Sequence, residues 1–311
     1  MSTRRTHRWI AAGALAGALC VADAVLARSS HDACKATTSD VFDSCRAGAH
    51  GDKFLSVGKC DNVPDAAARR ACIQQASADL QDALQGCKDA RDFRKAVCSR
   101  LGPAPYSPVI DPVNFVATID NPYNPLPPGT TFIYEGQTAE GLEHNEVFVT
   151  HNTKVIQGVV CVEVLDTVKV NGTLTEQTLD WFAQDRDGNV WYFGEHSEEL
   201  AGGLVADLGG SFTGGVDGAS PGIIMKAHPA VGDFYRQEFD LANAEDVAEV
   251  VSLSESVTVA AGSFDHCLET QETEALDPTA LEHKFYAAGI GNVLTVDLVT
   301  GERLELTQIT H

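Results

Sequence analysis

From Thr131 onward the hydrophobic pattern has a period of two, and this constrains the fold more than any other feature. "TTFIYEG", "NEVFVTH", "KVIQGVVCVEVLDTVKV", "TLTEQTLDWFAQD", "NVWYFGE", "DFYRQEFD", "VVSLSESVTVAA", "SFDHCLETQE", "EHKFYAAG", "NVLTVDLV" and "RLELTQI" each read as a strand. The turn pairs Asn171-Gly172, Asp187-Gly188 and Thr300-Gly301 separate several of them. Consecutive strands with little helix between them predict a mainly β fold, an antiparallel meander. Such a sheet closes into a barrel or curls into a half-barrel, which shelters its edges. An immunoglobulin-like β-sandwich is the alternative.

The chain before that point reads differently. Residues 1–27 have a basic front, an apolar centre and small residues near "VLA", the pattern of a signal peptide cleaved after Ala27. A lipoprotein anchor at Cys20 is disfavoured, because Leu19 stands where a small residue is wanted. Residues 28–100 are predicted to form a small cysteine-rich helical module. From Asp65 to Arg100 there is no proline and one glycine, Gly86, with Pro64 near the first turn. Cys72, Cys87 and Cys98 fall on one helix face, and Cys34 and Cys45 are again three turns apart. A module this small needs staples. Together with Cys60 these are six cysteines, whose pairing the sequence leaves open. Residues 101–130, "LGPAPYSPVIDPVNFVATIDNPYNPLPPGT", are proline-rich and read as an extended linker.

The two cysteines of the β-region, Cys161 and Cys267, are expected to bond to each other. No CxxC or HxxxH spacing occurs, so no zinc site is expected. No later apolar run is long enough to span a membrane. Charge is uneven: residues 28–102 carry 12 Lys+Arg and 10 Asp, whereas residues 103–311 carry 7 Lys+Arg and 33 Asp+Glu. A net of −26 on the β-region makes nucleic acid an unsuitable partner.

The stretches "NPYNPLPPGTTFIYEG", "DWFAQDRDGNVWYFGE", "GVDGASPGIIMKAHPAVGDFYRQEF" and "KFYAAGIGNVL" carry a resemblance over about residues 120–308. They resemble a group of uncharacterised bacterial secreted proteins and lipoproteins with an antiparallel β-meander domain. By analogy that domain is similar to the half-barrels of lipocalins and lipoprotein carriers. The resemblance implies an exported β-meander and assigns no reaction.

Hairpin register supplies the candidate site. A two-residue turn at Asn171-Gly172 predicts Val164 opposite Leu179, Val162 opposite Trp181 and Val160 opposite Ala183. For "DRDGN", a type I turn with Gly188 as a bulge sets Ala183 against Trp191, Trp181 against Phe193 and Leu179 against Glu195. A plain turn would instead set Asp180 against Glu195, where two carboxylates repel unless a cation or shared proton intervenes. The bulged register places Trp181, Trp191, Phe193 and Glu195 on one inward face. The Cys161–Cys267 bond would turn His266 inward as well, making Glu195 and His266 an interior pair. Met225, His228, Tyr235 and Arg236, in "PGIIMKAHPAVGDFYRQE", are candidates for a cavity rim.

Asp185-x-Asp187-Gly188-Asn189 lacks the later Glu of an EF-hand, so no metal is expected there. HExxH, P-loop and dinucleotide motifs are missing, and Ser220 in "GASPG", a bare match to GxSxG, has no nucleophile elbow after it. Three functions fit: a binding protein for an apolar or amphipathic ligand, a surface protein interacting through its helical module, or a metal-dependent or acid–base enzyme using Glu195 and His266. The long inward apolar face favours the first.

Overall fold

A computed structural model describes residues 32–311. The signal-peptide reading of residues 1–27, and Cys20 with it, lies outside the described residues. The described residues open with two helices, α1 (Ala33–Asp61) and α2 (Ala66–Leu101). Asp32 caps α1 by accepting from the Lys35 amide at 2.9 Å, and Asp65 caps α2 by accepting from Ala67 and Ala68 at 3.0 and 2.7 Å. Gly102, at φ 89°, ends α2. The helices run antiparallel, so the cysteines pair in nested order: Cys34–Cys98, Cys45–Cys87 and Cys60–Cys72.

The rest is β. A single 3₁₀ turn (Pro112–Asn114) leads into β1 (Phe115–Val116), followed by β2 (Thr131–Gln137), β3 (Leu142–Ile156), β4 (Val159–Val170), β5 (Thr173–Asp185) and β6 (Val190–Ala201). Short pieces come next: β7 (Leu204–Asp207), β8 (Phe212–Thr213), β9 (Ser220–Met225), β10 (Phe234–Arg236) and β11 (Glu238–Phe239). The second half is β12 (Val247–Val259), β13 (Gly262–Thr273), β14 (Leu281–Ala287), β15 (Gly291–Asp297) and β16 (Arg303–Thr310).

These strands form one antiparallel, nearly closed barrel in the order β10-β12-β13-β14-β15-β16-β2-β3-β4-β5-β6-β9-β11. The sheet is continuous, so the sandwich alternative falls. The barrel consists of two meanders, β2–β6 and β12–β16. On one side they join through β16 and β2, with Thr310 opposite Thr131. On the other side residues 234–239 cross the seam: β10 pairs with β12, and β11 pairs with β9. The chain kinks between them at Gln237, whose amide donates to Asp246 O at 2.9 Å. Gly222 faces that kink, and a Cβ there would lie 2.3 Å from the Gln237 carbonyl carbon, so the crossing needs glycine.

Two registers depart from expectation, both through bulges. The Asn171-Gly172 turn forms, and Val170 faces Thr173. Thr175 is then skipped and its hydroxyl donates to Val168 O at 3.2 Å. The slip sets Leu165 against Leu179 and Val164 against Asp180. In the next hairpin Gly188, at φ 97°, makes the expected bulged turn and Ala183 faces Trp191. A second irregularity at Phe193 then shifts the pairing, so Trp181 faces Gly194 and Asp180 faces Glu195. The run "KVIQGVVCVEVLDTVKV" is two strands, because Gln157 and Gly158, at φ 50° and 81°, turn the chain.

The main core lies inside the barrel and includes Phe132, Val149, Val164, Met225, Val250, Leu268, Leu294 and Leu306. A second cluster, on the other face of β4–β6, holds Ile156, Val159, Cys161, Trp181, Ala183 and Phe193, with Ile110 and Phe115 of the proline-rich segment packed over it. Further along that segment, Ile119 and Leu126 enter the barrel core. α2 is tied to the barrel by Arg94, which holds Glu245 through Nη2 to Oε1 at 2.5 Å, and by Arg100, which engages Glu249 and lies 3.9 Å from the Phe234 ring centroid. Tyr106 donates to Pro221 O at 2.9 Å on the far side of the seam.

Candidate functional site

Alternation along β4, β5, β14 and β16 leaves an unfilled space inside the barrel, a cavity of about 540 Å³. Its apolar wall includes Phe132, Val147, Val164, Phe182, Ile224 and Leu304. Its polar wall includes Asn145, Asp166, Glu176, Asp180, Glu282 and Lys284. A second cavity, of about 350 Å³, shares Phe182, Ile224 and Lys284 and adds Tyr192, Glu195, Gln237, Glu238, Asp246, Glu272 and Glu274.

The bulges explain why acids point inward. With Val164 opposite Asp180, the inward side of the first hairpin carries Asp180 together with Val162 and Phe182. The Phe193 irregularity brings Glu195 to the same side. Tyr192 lies between the two carboxyls, its hydroxyl 2.5 Å from Asp180 Oδ1 and 2.7 Å from Glu195 Oε2.

Desolvation raises the proton affinity of these groups. Burial, with Glu176 and Glu143 nearby, pushes Asp166 up to about 7. Burial holds Asp180 well above the usual carboxylate range, and the neighbouring Asp166 adds to it. Burial raises Glu195, against the pull of the Tyr192 hydrogen bond. Burial and Asp246 raise Glu238 strongly, while Asp246 itself reaches about 6 and Glu274 about 7 through burial first. Glu272 is the exception. Burial opposes its charge, but Lys284 Nζ at 2.8 Å and the Thr270 and Tyr286 hydroxyls, at 2.8 and 3.1 Å, hold it below the usual range. Lys284 in turn stays protonated: burial works against its charge, and Glu272 and Glu282 outweigh it.

The residues expected at the site are redistributed. Trp181 and Phe193 are buried, and Trp191 partly buried, in the outer cluster rather than the barrel interior. The Thr175 slip is the reason, since one step reverses the face of every side chain. The Trp191 indole donates to Asp185 Oδ2 at 2.8 Å. Glu195 does face the second cavity, but His266 is exposed, at φ 57° in an irregular stretch of β13, and lines neither cavity. Met225 is in the barrel core, at 1 % exposure, rather than on a rim. Tyr235 is also in that core, with its hydroxyl unpartnered. His228 is exposed. Arg236 lies over the rings of Phe239 and Tyr106, 4.4 and 5.6 Å from their centroids, at the seam.

Cys161 and Cys267 are both free thiols, contrary to the expected bond. Cys161 belongs to the outer cluster and Cys267 to the barrel core, so the sheet lies between the two environments. Sequence reasoning missed Asp166, Asp246, Gln237 and Glu274 altogether. The only signal of the three acids was an acid at or next to the end of an apolar strand segment, and Gln237 gave none.

No protein-family model matches the chain, and no curated protein matches it. Among solved structures, one from Parabacteroides distasonis described as a "putative lipoprotein" is 13 % identical over 60 % of this chain and 98 % of that one, with a TM-score of 0.33. Neither fold nor function is drawn from so distant a likeness.

Proposed function

We propose that this is an exported binding protein that holds a small amphipathic molecule inside its barrel. The observation that carries this reading is the cavity of about 540 Å³, with Phe132, Val164 and Leu304 on one part of its wall and Asp166, Asp180 and Lys284 on another. Ligand cavities of this size, mostly apolar with a few placed polar groups, orient one molecule. Export is supported by the leader-like residues 1–27 and by three disulfides among the described residues. The acid–base alternative has lost its motive, because His266 is exposed and Glu195 is engaged by Tyr192.

Native mass spectrometry of protein purified from its own host tests the reading. An organic adduct of one molecule per chain, lost in a Val164→Trp variant that fills the cavity, is the expected result. Unliganded protein, with no saturable uptake of the apolar dye N-phenyl-1-naphthylamine, would overturn it.

A further inference from the structure

The two adjoining cavities hold an imbalance of charge. Asp166, Glu176, Asp180 and Glu282 line the first, and Glu195, Glu238, Asp246, Glu272 and Glu274 line the second. Against these carboxyls stands a single amine, Lys284, and it is already committed to Glu272 at 2.8 Å and Glu282 at 3.6 Å. Carboxyls withdrawn from water with no cation to face carry a large desolvation cost, and they avoid it by holding protons. Asp166, Asp246 and Glu274 accordingly keep protons up to about 7, 6 and 7, through burial first.

The wall also has hydrogen-bonding capacity that the protein does not use. Oδ1 of Asn145 and Oδ1 of Asp166, both in the first cavity's lining, are enclosed acceptors without a donor. Gln237 lines the second cavity at 3 % exposure, and its carboxamide nitrogen has no partner. While Asp166 holds its proton it can donate to Asn145, but once it ionises both acceptors need donors that an occupant of the cavity would bring, whereas the Gln237 nitrogen needs an acceptor. The carboxyls are spread along the walls: among the described residues no three His, Cys, Asp or Glu side chains converge as a metal cage would require. Spread acceptors above an apolar wall suit an organic ammonium group, with its several N–H donors, better than a compact ion.

We propose that the ligand of the barrel is a cationic amphiphile, an alkyl or aryl amine whose ammonium group sits between Asp166 and Asn145 and whose apolar body lies against Phe132, Val164 and Leu304. This rests on the binding reading above and names its ligand class. The ammonium takes the place of carboxyl protons, so binding releases protons into the medium. The net acidity of the β-region favours the approach of a cation over that of an anion.

Isothermal titration at pH 7 with decylamine, decanol and decanoate, each below its micellar concentration, tests the assignment on the full chain. Decylamine is expected to bind one per chain, at least about tenfold tighter than decanol, with decanoate weaker still. Its apparent enthalpy should vary between buffers of different ionisation enthalpy, reporting the released protons. Asp166→Asn should weaken decylamine by about tenfold and leave decanol unchanged. Glu176→Gln provides a second, milder variant should the first not fold. Decanol or decanoate bound as tightly as decylamine would overturn the cationic assignment and leave the binding reading standing. Uptake of none of the three, with the apolar dye also excluded, would remove both.

Discussion

Asp180 and Glu195 stand directly opposite each other on β5 and β6, with the Tyr192 hydroxyl in hydrogen-bond reach of both carboxyls. A phenol has one proton to donate, so it can satisfy two carboxyls at once only if one of them is itself protonated. Asp180, raised the further of the two by burial and by Asp166, is the group that keeps the proton.

The first prediction follows from that arrangement. Tyr192→Phe removes the bridge and leaves the carboxyls facing each other in the barrel. It should destabilise the protein by about 2 kcal/mol at pH 8 and by less at pH 5, where burial favours the neutral forms of both carboxyls more fully. Asp180→Asn keeps the shape and replaces the protonated carboxyl by a group that cannot ionise, and should flatten the difference between the two pH values. Urea melts of the three proteins at both pH values decide it. Equal losses in Tyr192→Phe at pH 5 and pH 8 would mean the tyrosine acts by packing alone.

A second prediction concerns the whole interior. Asp166, Glu274 and Asp246 titrate near 7, 7 and 6 when folded, against about 4 when unfolded. The folded state therefore binds these protons more tightly, and its stability is greater in acid. That contribution is complete below about pH 4 and is lost as pH rises through 6 to 7. The melting temperature of ligand-free protein should fall by roughly 5–10 °C between pH 5 and pH 8. Below about pH 4 the trend reverses as carboxylates held low, such as Glu249 by its Arg100 hydrogen bond, take up protons. Scanning calorimetry across pH 3–9 measures the profile, and a melting temperature that rises from pH 5 to pH 8 would contradict it.

Arg94 and Glu245 supply the third. Both are buried, at 7 % and 2 % exposure, and the Glu245 carboxylate also accepts from the Ala242 amide at 2.8 Å. Arg94→Met strands the carboxylate and should cost about 3 kcal/mol. The double variant Arg94→Met/Glu245→Met should recover most of that loss. Guanidinium unfolding curves for the single and double variants give the coupling. Strict additivity would show that the pair does not join α2 to the barrel energetically.

The fourth prediction is chemical. Burial pushes the Cys161 thiol up to about 12, and Cys267 is raised by burial and by Asp265 and Glu255. Neither thiol should react with an alkylating reagent in the native protein, and both should be labelled after unfolding without reductant. Peptide mass spectrometry counts the labels. An unlabelled Cys161 and Cys267 in the unfolded chain would restore a bond between them.

The meander was legible because its evidence is local. Alternation beginning at Thr131 and the turn residues Asn171-Gly172 and Asp187-Gly188 state strands and hairpins without reference to the rest of the chain. The site was not legible. Thr175 and Phe193 are ordinary strand residues, and nothing in their chemistry announces that each will be skipped in the ladder. The Thr175 skip turned an aromatic set read as cavity wall into an outer cluster beneath Ile110 and Phe115, and the Phe193 skip turned Glu195 inward. Asp166 and Asp180 took the interior positions instead. The turn at Gln157-Gly158 was hidden by apolar residues on both sides.

The pairing of β16 with β2 has a consequence for how the chain matures. β2 is made before the other long strands and β16 after them, so one edge of β2 stays open until Arg303–Thr310 has been made. Contacts between strands so far apart in sequence form slowly, and an open edge recruits other chains while it waits. A chain lacking Arg303–Thr310 would keep every long strand except β16 and would present that edge permanently. Proteolysis or chaperone capture would therefore act most strongly on chains in which β16 is missing or has not yet docked on β2.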